Sequence, residues 1–269
     1  MNLTAPFRGC RYSILKNVLG GDILLSGEFM RLKDENCEYL ECEKKWVFAL
    51  LIFVGGYFGG FTYNARGGVF CNAQTANFVL FGLAVSKAEW SRAVYYFIPM
   101  TAYVLGAFVS ETVAYSIKKY RLIRWDTLLI GIEIAAVVVL GLIPDSAPYR
   151  ITHVAVNFIC SMQYNTFRQA QGIPVSTTFC TNHIRQVGVY AALSLRHPQD
   201  KAYRNRMYFH ILLIVSFVAG VIAAAMLSTR FGGHALFGAL IPLTAIFADF
   251  LYADLRTEKG RIGEKPHGH

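Results

Sequence analysis

Two stretches of the chain gather polar side chains inside otherwise apolar sequence. Residues 69–85 read VFCNAQTANFVLFGLAV, and residues 174–195 read PVSTTFCTNHIRQVGVYAALSL. In the first, helical spacing sets Asn72 beside Thr75 and Gln74 beside Asn77. A short helix starting near Gly68 would aim its free N–H groups into a cavity. Such an end favours anions, and Arg66 would add positive charge. The second stretch offers Ser176, Thr177, Thr178, Thr181, Asn182, His183 and Arg185. Arg168 lies upstream, and Pro174 stands where a first helical residue is expected. Amides, hydroxyls and guanidinium groups in this arrangement can bind and pass a small polar solute. The same residue types also hold membrane helices together.

Three carboxylates, Glu111, Glu133 and Asp249, fall within or near apolar runs. An intramembrane carboxylate is costly and is a functional candidate by default; Glu133, the most central, is the candidate for proton coupling. His153 and His183 are isolated, with no metal-ligand spacing. The six cysteines form no metal pattern either and read as reduced, semi-apolar side chains. No nucleophile elbow, phosphate-binding loop, HExxH or paired-carboxylate motif occurs. The expectation is therefore no metal, no cofactor and no enzymatic reaction.

The elements that must position these residues are long apolar segments. The chain has 269 residues, 54% hydrophobic and 16% charged, where a soluble domain carries about 25% charge. Charges are nearly absent from residues 46–63, 94–117, 125–143, 207–227 and 235–251, each close to the ~20 residues a helix needs to cross a bilayer. Residues 151–167 form a shorter, more polar sixth window. Trp46, Trp90, Trp125, Tyr120, Tyr149, Tyr203 and Tyr252 mark the edges, as interfacial anchors do. The formal charge of +9 comes from Lys and Arg between these windows. That placement serves topology and argues against nucleic acid as a partner. No secretory signal is visible. Residues 1–45 read as a charged cytosolic extension, 46–253 as the membrane domain and 254–269 as a cytosolic tail.

The two halves, residues 46–145 and 150–253, share an order of motifs. Tyr63-Asn64 is echoed by Tyr164-Asn165, and Thr75-Ala76-Asn77 by Thr181-Asn182-His183. The small-residue ladder Ala102, Gly106, Ser110 returns as Ser216, Gly220, Ala224, and the second copy has about five extra residues around Gly172. Eight spans, four per repeat, would put Lys118, Lys119, Arg121 and Arg124 opposite Arg196, Lys201, Arg204 and Arg206, against the positive-inside tendency. Six spans, three per inverted repeat, put both clusters inside, together with Arg256, Lys259, Arg261 and Lys265. Arg66, Lys87, Arg92, Arg150 and Arg230 stay outside. The expected fold is thus an all-α integral membrane protein of about six transmembrane helices as two inverted three-span repeats, each with a polar broken or re-entrant segment. The alternative is eight spans. Inverted repeats with discontinuous helices are a transporter plan, with sites near the midplane.

Gly55, Gly56, Gly59 and Gly60 form two pairs four apart, a spacing that lets helix backbones approach closely. The run GGYFGGFTY, followed by RGGVFCNAQTAN, MQYNTFR and TTFCTNHIR, resembles the YoaK-like family of bacterial membrane proteins, a domain of unknown function, over residues 46–252. That family commonly has an acidic residue where Gly59 stands, and Thr-Gly-Asn at both 75–77 and 181–183. The resemblance implies a multi-pass protein of the bacterial cytoplasmic membrane, with N- and C-termini cytosolic on the charge map, and supplies no substrate. The leading functional expectation is a small-solute transporter or channel, anions slightly favoured, with Thr75→Val or Thr181→Val removing transport. The alternatives are a partner-binding scaffold and, third, an enzyme acting on a lipid-like substrate. The lipid bilayer is the expected partner, and oligomerisation is left open.

Overall fold

The computed structural model describes residues 39–117 and 123–267. Most of the N-terminal extension and the basic residues Lys118, Lys119 and Arg121 lie outside them. The described chain is almost wholly helical. Helix α1 covers Lys45–Ala65, α2 Gln74–Ser86, α3 Trp90–Ile117, α4 Trp125–Gly141 and α5 Tyr149–Thr166. A two-stranded hairpin follows, β1 Gln169–Ala170 and β2 Ile173–Pro174, then α6 Thr181–Arg196 and α7 Lys201–Phe231. A 3-10 stretch, Gly232–Ala239, leads into α8, Leu240–Tyr252.

Three helical stretches are long and apolar enough to cross a membrane: Lys45–Ala65, Trp90–Ser116 and Lys201–Thr257. The last is bent back on itself where Gly232 takes a φ of +54°, a conformation glycine adopts without steric cost. Their surroundings differ. The apolar window of α1 is 72% buried inside the protein, whereas those of α3 and Lys201–Thr257 are only 33% and 22% buried. Val104, Phe108, Met226 and Ile241 point outward, each more than two-thirds exposed. Helices apolar all round belong at the centre of a bundle. Helices with apolar outer faces belong against hydrocarbon, because water would not tolerate so large a patch.

Packing follows one pattern twice. α1 lies along α7, and α3 lies along α5. The short helices rest on the long ones that follow them, α2 on α3 and α6 on α7. α4 meets α8, α1 touches α8, and α4 touches α5. Every one of these pairings survives exchange of the first four helices for the second four. The small-residue ladders sit at matching crossings. A Cβ on Gly220 would strike the Phe53 carbonyl of α1, and one on Gly106 the Phe158 carbonyl of α5.

Two clusters define the ends. At one, Arg66 after α1 meets Asp145 after α4, at 3.0 Å, and Tyr149 at the start of α5. Gly233, after α7, donates its N–H to the same Asp145 at 3.0 Å. At the other end, the turn Glu41–Glu43 meets Arg124–Thr127 and the segment after α8. Arg124 is buried there between Asp126 (3.2 Å) and Glu258 (3.3 Å). Burial works against its charge, but Cys42, Asp126, Glu258 and Asp254 outweigh it and raise its pKa. The segment 254–269, read as the tail, is partly docked, with Asp254 and Glu258 buried.

Candidate functional site

Paired glycines turn the chain back after α1. Gly67 and Gly68 take φ of +83° and +74°, the left-handed conformation that ends helices. The chain then stays non-helical until Gln74, so the expected helix start near Gly68 lies six residues too early. A second correction concerns Pro174, which ends β2 rather than opening a helix; α6 begins at Thr181. The extra residues around Gly172 form the hairpin turn, where Gln171 and Gly172 both have positive φ, as the favoured two-residue turn requires.

Both polar segments reach α1 on the same glycine face. Residues four apart share one side of a helix, and here Gly55 and Gly59 form one row while Gly56 and Gly60 form the next. The Gly56–Gly60 row packs on α7: added Cβ atoms would strike the main chain at Phe217 and Val221. The Gly55–Gly59 row takes the polar segments instead. A Cβ on Gly55 would lie 2.5 Å from the Thr177 carbonyl oxygen and 3.1 Å from Thr178 Cα. One on Gly59 would lie 2.6 Å from the Asn72 amide nitrogen. Asn72 Nδ2 donates to the Gly55 carbonyl at 2.9 Å. One helical turn of α1 thus receives Asn72 from the first half and Thr177–Thr178 from the second.

Each segment is fixed by a histidine. On the first, the His153 ring nitrogen Nε2 bonds the Arg66 carbonyl, and its Nδ1 faces the Tyr95 hydroxyl at 3.2 Å. Asn157 donates to the His153 carbonyl at 2.7 Å and accepts from Gln74, which in turn accepts from Asn77 at 3.3 Å. Asn77 also donates to the Phe70 carbonyl at 2.9 Å. On the second segment, His183 Nε2 bonds the Ser176 carbonyl at 2.8 Å and Nδ1 faces His210 Nδ1 at 3.0 Å. Asn77 and His183 therefore serve separate interfaces, one toward α5 and one toward α7.

The structure divides the twelve residues singled out in the sequence. Asn72, Asn77, Thr177, His183 and Glu133 are buried, and Gln74 is half-buried; Thr75, Thr181 and Arg185 face outward, and Asn182 caps Arg185 at 3.0 Å. Thr75 and Thr181, the hydroxyls expected to be decisive, thus lie away from the buried junction on α1. Arg66 and Arg168 are not free charges. Arg66 holds Asp145, and Arg168 holds Glu111 at 3.1 Å together with Asn165. Arg66 nevertheless keeps Nε and Nη2 buried without a partner, between the Phe61 and Tyr149 rings. Thr177 Oγ1, Asn77 Oδ1 and both oxygens of Glu133 are likewise buried without partners, while Thr178 faces the Tyr103 hydroxyl. Native proteins leave few such groups, and each calls for an explanation.

Sequence reasoning missed Asn157, Gln163, His210 and Asp145. Asn157 was visible as the i+4 neighbour of His153 on one face of α5. Gln163, which donates to the Leu51 carbonyl at 3.2 Å, gave no such signal. His210 lies 27 residues from His183, so spacing could not pair them.

The family described as "Protein of unknown function (DUF1275)" matches residues 47–248. The chain belongs to this family. The match agrees with the resemblance to the YoaK-like proteins and spans both halves of the DUF1275 domain, α1 into α8. Neither the curated proteins nor the solved structures give a match. What a DUF1275 protein does must therefore be read from the arrangement itself.

Proposed function

We infer that the protein is a small-solute transporter or channel of the bacterial cytoplasmic membrane. One observation carries this reading: two polar segments, one from each half, meet the same glycine row of α1, and each keeps a buried polar atom without a partner, Asn77 Oδ1 in the first and Thr177 Oγ1 in the second. Unpaired polar groups at such depth cost free energy, and a passing solute or its water would satisfy them. In this reading α1, α3, α4, α5, α7 and α8 cross the bilayer. The segments containing α2 and α6 enter from opposite faces and return, and the halves are inverted repeats. The twofold packing pattern and the two end clusters support that topology.

Asn72, Gln74, Asn77, Thr177 and His183 line or buttress the path. Thr75, Thr181, Asn182, Arg168 and Arg185 lie at its margins. Glu133 is the carboxylate available to a proton-coupled cycle. Arg66 favours an anion, because its Nε and Nη2 form the side of a guanidinium that grips an oxyanion with two parallel bonds.

The test is flux in proteoliposomes with a panel of small inorganic and organic anions, with neutral solutes as comparison. Thr177→Val keeps the shape and removes the hydroxyl. It should abolish flux of the transported solute while leaving thermal unfolding unchanged, whereas Thr75→Val and Thr181→Val should transport normally. Undiminished flux in Thr177→Val would remove this residue from the path.

A further inference from the structure

We propose that His183 and His210 together form a proton-binding site that is wired to the second polar segment. The inference rests on the reading of residues 176–183 as part of the path, and it adds the site's occupant. Both rings are fully buried, with Nδ1 atoms 3.0 Å apart. Hydrogen-bond logic fixes the protons. The Ser176 carbonyl can only accept, so His183 carries its proton on Nε2 and donates at 2.8 Å. His183 Nδ1 is then a lone pair, and His210 must donate to it from its own Nδ1. That leaves His210 Nε2 as an unprotonated nitrogen, and it is buried without a partner.

The pair therefore has one open position for one proton. A proton arriving at His210 Nε2 breaks no existing bond: His210 Nδ1–H still donates to His183, and His183 Nε2–H still donates to Ser176. The charge spreads over two rings. The Tyr190 ring lies parallel to His210, at 5.7 Å and 9°, a face that stabilises a cation. The hydrogen-bond chain ends on the Ser176 carbonyl, one residue before Thr177. Proton occupancy is thus felt where that segment meets Gly55.

The charged and titratable groups around the pair are few. From α7, Arg206 lies over the Tyr190 ring at 5.8 Å and bonds its hydroxyl at 3.4 Å. From α1, Lys45 stands 5.6 Å from the ring of Phe209, the neighbour of His210. From α6 come Tyr190 itself, the exposed Arg185 and, at the N-cap, Cys180. Arg206 and the first proton's own charge oppose a second, so the pair takes one proton and not two.

The full chain, labelled with 15N-histidine and held in lipid bilayers, tests this by solid-state NMR between pH 8 and pH 3. At pH 8 the expected pattern is a protonated Nε2 on one buried ring, a protonated Nδ1 on the other, and a coupling across the Nδ1–Nδ1 bond. On acidification, a single step should protonate His210 Nε2 with that coupling retained. His210→Gln should remove the step, and Glu133→Gln should leave it in place. Two neutral rings throughout the range, or two independent protonation steps, would overturn the proposal. The titration needs no substrate. A single step in a protein that moves no solute would retain the proton site and discard the transport reading.

Discussion

Gly55→Ala is the sharpest perturbation of the junction between α1 and the second polar segment. The added methyl carbon would sit 2.5 Å from the Thr177 carbonyl oxygen, where ordinary contact begins at 3.4 Å, so about 0.9 Å must be yielded. The obstacle is main chain, which has no rotamer to change. Replacing a helical glycine by alanine gains about 1 kcal/mol in helix propensity. Forcing a methyl into a packed core costs about 1–3 kcal/mol. Moving residues 176–178 also stretches the His183 bond to Ser176, worth roughly 0.5–1.5 kcal/mol. The expected net effect is a loss of about 1–3 kcal/mol. Gly188→Ala is the control. It lies in α6 with nothing within 4 Å, so only the propensity gain of up to about 1 kcal/mol applies. A thiol-reactive dye reads both, since Cys71 and Cys160 are buried and Cys180 is partly so, two residues beyond Thr178. Gly55→Ala should lower the midpoint of thermal labelling and raise Cys180 labelling below the transition, while Gly188→Ala does neither. A wild-type midpoint and unchanged Cys180 labelling in Gly55→Ala would show that the segment is not held against α1.

Three further outcomes follow from the end clusters and the glycine crossing. Arg124→Ala leaves the buried carboxylates Asp126 and Glu258 without their cation and should cost about 3–5 kcal/mol at pH 8. Burial raises the Glu258 carboxyl above its usual range against the Glu41 N–H and Arg124, which lower it. The native state thus binds that proton more tightly than the unfolded chain, and its contribution is lost as pH rises through the raised value. The deficit of Arg124→Ala, measured by denaturant unfolding, should therefore shrink from pH 8 to pH 5; an equal deficit at both would contradict the coupling. Asp145→Asn keeps an acceptor for Gly233 and strips Arg66 of its counter-charge. With the Asp145 side chain 66% exposed, the loss should be only about 1–2 kcal/mol, and no shift in unfolding would count against the pair. Gly220→Ala meets the Phe53 carbonyl and the Tyr57 amide of α1 and should destabilise by about 1–3 kcal/mol, read by the same thiol assay; a stabilised variant would refute close α1–α7 contact.

The sequence made the apolar helices, the polar segments and the glycine row legible because each rests on local pattern. Windows such as 46–63 and 125–143 match α1 and α4 within two residues, since a helix needs only length and apolarity there. Gly67 and Gly68 signal the break after α1 but not how far the non-helical stretch runs before α2 begins at Gln74. Asn72 spends the following residues reaching Gly55 as loop, and that contact is invisible locally. The outward turn of Thr75 and Thr181 follows from a helix phase set at Gln74 and Thr181, which spacing alone does not give. Arg66 read as a free charge because Asp145 lies 79 residues away in the chain. His210 stood alone in an apolar run, and only α6 folding back on α7 supplies its partner. Tertiary pairing across the two halves fixed what local pattern could not.

Single cysteines at Lys87 and Gln199, in a background without the six native cysteines, test the topology most directly. Both positions are exposed, one after α2 and one after α6. Sealed vesicles of known orientation would be treated with a membrane-impermeant maleimide, with Lys265→Cys marking the side of the C-terminal segment. Six spans with two re-entrant polar segments predict that Gln199→Cys reacts from the same side as Lys265→Cys and Lys87→Cys from the opposite side. Reaction of all three from one side would mean that α2 and α6 cross the bilayer, and the meeting of two re-entrant segments on α1 would be contradicted.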